Sequence, residues 1–126
     1  MKTTRGTADV WVERLQVLLA TELSAILAQE QRNENRVNLY SVGEYWAAFE
    51  KSAYLLEQMT RCGDSPMTLH VNGYPFPIVM LNIHYRKVDE MCKKHVVAKR
   101  DTEFLQFLTH PIDVASYNRW VGRPSL

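Results

Sequence analysis

The sequence predicts an α/β fold, a small mixed sheet flanked by helices. Three observations lead there. Apolar residues recur at helical spacing near the N-terminus, short β-prone runs bounded by turn residues follow, and further helical patterns stand between those runs. The order read from them is helix, strand, helix, strand, helix, strand and a helical tail.

The first helix rests on Val12, Leu15, Leu19, Leu23, Ile26 and Leu27, with Glu13, Gln16 and Ser24 on the other side. Thr7 or Asp9 is suited to cap it. Residues 1–7 are expected to be a flexible lead, and the polar run QEQRNEN at 29–35 a connection. Arg36–Tyr40 is short and β-prone. From Val42 onward Tyr45, Phe49, Ala53, Leu56 and Met59 share one helical face, and the helix is expected to stop near Arg61, before the breaker cluster Cys62-Gly63-Asp64-Ser65-Pro66.

Met67–Val71 alternates as a strand does, and Asn72-Gly73 is a turn signal. After it two patterns overlap. Leu81, Ile83 and Tyr85 alternate with Asn82, His84 and Arg86, as in a strand; Ile78, Leu81, Tyr85, Val88 and Cys92 also form a helical stripe. Prolines at 75 and 77 would interrupt a strand ladder, which favours a helix over about Pro77–Lys94. His95–Ala98 is a short β-prone run. Thr102–Leu108 is expected to be helical, and Asp113 to cap a last helix through Trp120 that Gly122 stops. Residues 101–126 are thus expected to be a helical tail on a single domain spanning 1–126.

Composition narrows the classes of function. The chain has 126 residues, 46% hydrophobic and 23% charged, which are globular averages and exclude a disordered tail. No apolar run approaches the ~18 residues of a membrane span, and the start MKTTRGTADV lacks an apolar signal core, so the cytoplasm is expected. Fifteen basic against 14 acidic side chains give a net charge of +1, too little for strong sequence-independent binding to nucleic acid by the chain as a whole. Cys62 and Cys92 form no CxxC pair and read as two free thiols.

The segment Asn38–Phe49, NLYSVGEYWAAF, contains the most specific local pattern. Ser41-x-x-Glu44 has capping-box spacing, with Tyr40 and Tyr45 at the staple positions around it, so a strand–turn–helix is expected. Leu39-Tyr40-x-x-Gly43-Glu44-Tyr45-Trp46-x-x-Phe49 resembles the strand–Gly-Asp-Phe-Tyr-Glu-x-Phe–helix signature of the N-terminal mismatch-recognition domain of the MutS family of DNA mismatch-repair proteins. Val71-Asn72-Gly73-Tyr74-Pro75-Phe76 and the short run His95-Val96-Val97-Ala98 resemble later segments of that domain, so the likeness spans about residues 36–100. It implies that Tyr45 stands where the family's Phe wedges beside a mispaired base. The family's base-reading Glu is replaced by Ala47, which removes the polar reader. There is also no GxxxxGK[ST] loop, hence no sign of an ATPase.

Tyr45 and Trp46, about 100° apart on a helix, cannot both face the core, and the stripe through Phe49 and Ala53 assigns Tyr45 to it. Arg86, Lys87, Lys93, Lys94, Lys99 and Arg100 form the densest basic region, offset by Asp89, Glu90 and Asp101. These residues, with Tyr45 and Trp46, are the candidates for contacting nucleic acid. Cys92 and His95 share a helical face, but two ligands do not make a zinc site and i,i+3 proximity does not make a nucleophile–base pair. No phosphate loop, nucleophile elbow or carboxylate pair appears. The expectation is therefore a non-catalytic binding domain without metal or cofactor. Nucleic acid is its ligand by resemblance, and the alternative is a protein partner or self-association anchored on Trp46, Trp11 or Trp120.

Overall fold

The computed structural model describes residues 7–61 and 66–122. The lead at 1–6 and the breaker residues Cys62–Ser65 lie outside the described residues, as do the side chains of Thr7 and Asp9 and so the choice of cap between them. The elements are α1 (Thr7–Gln31), β1 (Arg36–Val42), β2 (Tyr45–Phe49), α2 (Glu50–Thr60), β3 (Met67–Leu69), β4 (Ile78–His84), α3 (Tyr85–Lys94), β5 (Val97–Arg100), β6 (Phe104–Leu108) and α4 (Val114–Val121). After α1 the chain runs through three hairpin-plus-helix units, which are not repeats in sequence. The six strands form one sheet in the order β3-β4-β2-β1-β6-β5. Every pairing is antiparallel, so the mixed sheet expected from the sequence is corrected: β1–β2, β3–β4 and β5–β6 are consecutive antiparallel pairs, and β2–β4 and β1–β6 join them into one sheet.

The expected strand–turn–helix at Asn38–Phe49 is instead a hairpin. Val42 pairs with Tyr45, leaving Gly43 and Glu44 as a two-residue loop. Of these only Gly43 has positive φ, +76°, the pattern of a type II′ turn with glycine first. The start of α1 lies on this turn, where a Cβ on Gly43 would come within 3.4 Å of the Trp11 backbone, a van der Waals contact, so it is the positive φ that calls for glycine. Ser41 and Glu44 form no capping box. The Ser41 N–H donates to the Glu103 carbonyl, and the Glu44 carbonyl accepts from the Tyr85 N–H.

The chain then turns from β2 into α2 without a loop. Glu50 takes φ +52° at this corner, and its carboxylate accepts from the Val79 N–H at 2.8 Å. That bond ties the corner to β4 and offsets part of the cost of an unusual backbone. The far end of α2 is as expected, with Arg61 a left-handed C-cap whose N–H reaches the Glu57 carbonyl.

Two further expectations are corrected. Residues 78–84 are a strand, and only 85–94 are helical. Pro75 and Pro77 precede β4 instead of interrupting it, so neither removes a ladder hydrogen bond. Phe104–Leu108 is likewise a strand, so the helical tail expected over 101–126 is corrected; among its described residues only α4 is helical, with Asp113 and Gly122 as its caps.

The sheet separates two cores. On one face Val37, Leu39, Leu81, Ile83, Leu105 and Phe107 pack under α2 and α3, through Leu56 and Met91 among others, while α4 rests on α2 through Trp120 and Tyr54. On the other, Val42, Ala47, Phe49, Ile78 and Met80 pack under Leu15, Leu23 and Ile26 of α1. Ala47 and Ala48, both fully buried, point to opposite faces and let helices approach closely on each side.

At the C-terminal end of α1 a buried carboxylate joins three elements. Glu30, 2% exposed, accepts from the Ser52 N–H at 2.7 Å, the Ser52 hydroxyl at 2.6 Å and the Asn38 side-chain amide at 2.9 Å. Asn33 donates to it at 3.2 Å and to the Arg36 carbonyl at 2.7 Å, which fixes the turn from α1 into β1. Burial raises the Glu30 pKa above its ordinary value, against the lowering effect of these hydrogen bonds.

Candidate functional site

At the hairpin end of the sheet, four rings and a guanidinium line up across α1, β2, β4 and α3. Trp11 and Tyr45 meet edge to face at 5.9 Å, and Tyr45 meets His84 at 5.5 Å. His84 lies 4.6 Å from Tyr85, and the Arg86 guanidinium sits 5.8 Å from the centre of the Tyr85 ring. Each separation falls in the range of favourable ring pairs and cation–π contacts.

Backbone geometry sets this order. Tyr45 opens β2 and His84 closes β4 directly opposite it in the register, so their side chains share the α1 face. His84 is also the N-cap of α3: its Nδ1 accepts from the Arg86 N–H at 3.2 Å. A neutral ring accepting at Nδ1 carries its proton on Nε2, which faces the Glu44 carboxylate at 3.4 Å. The Tyr85 N–H bonds to the Glu44 carbonyl at 3.0 Å, so the hairpin tip holds the first residue of α3. The Arg86 Nε reaches the Tyr85 hydroxyl at 3.4 Å, and this bond holds the guanidinium above its ordinary pKa.

Exposure rises along the row. Trp11 and Tyr45 are half-buried, while Tyr85 is 38% exposed and Arg86 is exposed. The inner rings thus fix the outer pair, and the outer pair faces solvent.

The structure brings Tyr45 and Arg86 into one site, with exposed Lys87 next along α3, and separates the other candidates. Trp46 points to the opposite face, packed on the core beside Val88 and Leu105. Its ring is not a free anchor; nor is that of Trp120, which packs on Tyr54, or of Trp11 against Tyr45. Tyr45 is neither the core member of a helical stripe nor a free wedge, because β2 is a strand and its ring sits between Trp11 and His84. Lys93 and Lys94 occupy the last turn of α3, where cations complement the helix dipole. That places Lys94 roughly 12 Å along the axis from Arg86. Lys99 faces the α1 side of the sheet, whereas Arg100 reaches toward Cys92 Sγ at 3.7 Å on the other. The basic region is therefore divided between faces.

Among the described residues no group of three His, Cys, Asp or Glu could hold a metal, and His95 is the extended C-cap beyond α3, so it does not share a helical face with Cys92. No helix among them is long and apolar enough to cross a membrane. Sequence reasoning missed His84 and Tyr85, whose signal was the alternation through 81–86 that the helical stripe obscured. Compared with known protein families, with curated proteins and with solved structures, the chain matches none.

Proposed function

We propose that this domain is a non-catalytic protein-interaction module whose partner surface is the outer end of the ring row. The observation that carries the reading is the exposed Tyr85–Arg86 pair, held in place by His84, Tyr45 and Trp11 behind it and by the Glu44 carbonyl beneath. Tyr, Trp and Arg dominate interface hot spots, and a pre-ordered pair loses little side-chain freedom on binding. A partner suited to it presents a carboxylate to the guanidinium and an apolar side chain to the Tyr85 ring.

The resemblance to mismatch-recognition domains supports a second reading, nucleic acid, because an exposed ring beside a cation can stack and pair at once. The division of the six basic residues between faces favours the protein partner. Capture with the full chain as bait separates the readings. A protein held by wild type should be weakened roughly thirtyfold or more by Tyr85→Ala with Arg86→Ala and be indifferent to Lys93→Ala with Lys94→Ala. Salt-dependent DNA binding that the lysine pair reduces would instead establish the nucleic-acid reading and displace this one.

A further inference from the structure

One bond in the ring row depends on charge. His84 caps α3 by accepting at Nδ1 from the Arg86 N–H at 3.2 Å, while its Nε2 faces the Glu44 carboxylate at 3.4 Å. The cap requires the neutral imidazole. Both nitrogens of an imidazolium are donors, so the protonated side chain accepts in no orientation of its ring. Protonation strengthens the other bond, which becomes an ion pair. The two partners therefore favour opposite charge states, on the residue type whose charge ordinarily changes between about pH 5 and 8.

The protonated ring also has an acceptor to turn to. Asn82 stands two residues earlier on the same face of β4, about 6.6 Å along the strand, within reach of two such side chains. Its Oδ1 is buried and has no hydrogen-bond partner among the described residues. The second N–H of an imidazolium is the donor that this oxygen lacks. The other titratable or charged groups around His84 are the Tyr45 phenol on β2 and the Tyr85 phenol and Arg86 guanidinium on α3. The nearest described part of α1 is the uncharged Trp11 ring behind Tyr45. Arg86 and the positive end of α3 repel an imidazolium at the cap and drive it away from there.

We infer that His84 is a pH-operated latch on the first turn of α3. Neutral, it caps the turn and lies 4.6 Å from the Tyr85 ring. Protonated, it turns to Asn82 and releases the Arg86 N–H. The Tyr85 N–H keeps its bond to the Glu44 carbonyl in both states, so the turn loosens without leaving the sheet. The consequence for binding rests on the partner surface proposed above: acid withdraws the order that lets Tyr85 and Arg86 bind with little loss of freedom. Glu44 lies beside the added charge and both are partly exposed, so the lost order outweighs the extra attraction for a partner carboxylate.

Nuclear magnetic resonance on the full chain tests this. The His84 imidazole signals report its charge, and hydrogen-exchange protection of the Arg86 amide, corrected for the intrinsic effect of pH, reports the cap. Protection is expected to fall about fivefold as His84 gains its proton. His84→Asn, which caps without titrating, should hold the high value throughout, and His84→Ala the low one. Asn82→Ala should move the wild-type transition to lower pH by about half a unit. Arg86 protection that ignores the His84 titration overturns the inference. So does an equal fall in His84→Asn, or a transition that Asn82→Ala leaves in place. A protein captured by wild type should be held about fivefold less tightly below the transition, and equally on both sides of it by His84→Asn. Failure to capture any protein at either pH counts against the partner surface alone, because Arg86 protection needs no partner.

Discussion

Glu30→Ala is expected to destabilise the folded domain by about 3 kcal/mol, measured by equilibrium denaturation. The carboxylate is the shared acceptor for the Ser52 N–H, the Ser52 hydroxyl and the Asn38 amide, and all three residues involved are buried. Truncation leaves the Ser52 N–H and the Asn38 amide without this acceptor, at about 1–3 kcal/mol each, while the Ser52 hydroxyl keeps the Arg36 carbonyl at 3.4 Å; relief of the burial cost of the acid offsets part of the loss. Asn38 also accepts from Gln106 at 2.8 Å, so the loss reaches from α1 and α2 to β6.

The same residue sets an expected pH dependence. Burial raises the Glu30 pKa above the ordinary 4.5 of the unfolded chain, so over the window between the two values the folded state binds more protons. Its contribution to stability is therefore complete below pH 4.5 and falls as pH rises through the folded value. Glu30→Gln, which cannot titrate, should flatten the stability profile over that window. A wild-type profile that rises there more steeply than the variant's would contradict the sign.

Phe107→Ala should cost about 3–5 kcal/mol, and Phe104→Ala clearly less. Phe107 is fully buried beneath the α2–α3 face, whereas Phe104, three residues earlier, points to the other face and is half-buried beside Tyr40 at 5.3 Å. In a helix, positions three apart share a face and both rings would enter one core. In β6 the two lie on opposite faces, because successive side chains alternate. Unequal losses in paired denaturation experiments are the signature of the strand; equal losses would restore the helical tail.

The elements misread from the sequence share a physical cause. β2 reads YWAAF and β4 reads IVMLNIH. Both lie inside the sheet with helices over their two faces, so in β2 and in the first half of β4 apolar residues fill both sides and the alternation that marks a half-buried strand disappears; it returns only from Leu81, where a helical stripe overlaps it. Ala47 and Ala48, which also suit a helix, reinforced the misreading in β2. FLQFL at β6 was ambiguous for the same reason of length and apolarity. Features set by local chemistry were legible: the α1 stripe, the Arg61 end of α2, the Asn72-Gly73 turn with Gly73 at φ +90°, and the Asp113 and Gly122 caps.

The site follows the same division. Tyr45 and Arg86 could be singled out as an aromatic and a cation, but their meeting depends on Tyr45 facing His84 across two strands, a register that exists only once 78–84 is a strand. The Glu30 cluster was likewise invisible, because its members come from α1, β1 and α2 and nothing in their spacing announces the acceptor they share.

The most direct test of the interaction surface is site-specific photo-crosslinking. A photoreactive side chain is placed at Tyr85, at the outer end of the ring row, or at exposed Thr68 on the β3 edge of the sheet. A partner protein crosslinked from position 85 and not from 68 is the predicted result. A partner captured from position 68 and never from 85 would contradict it.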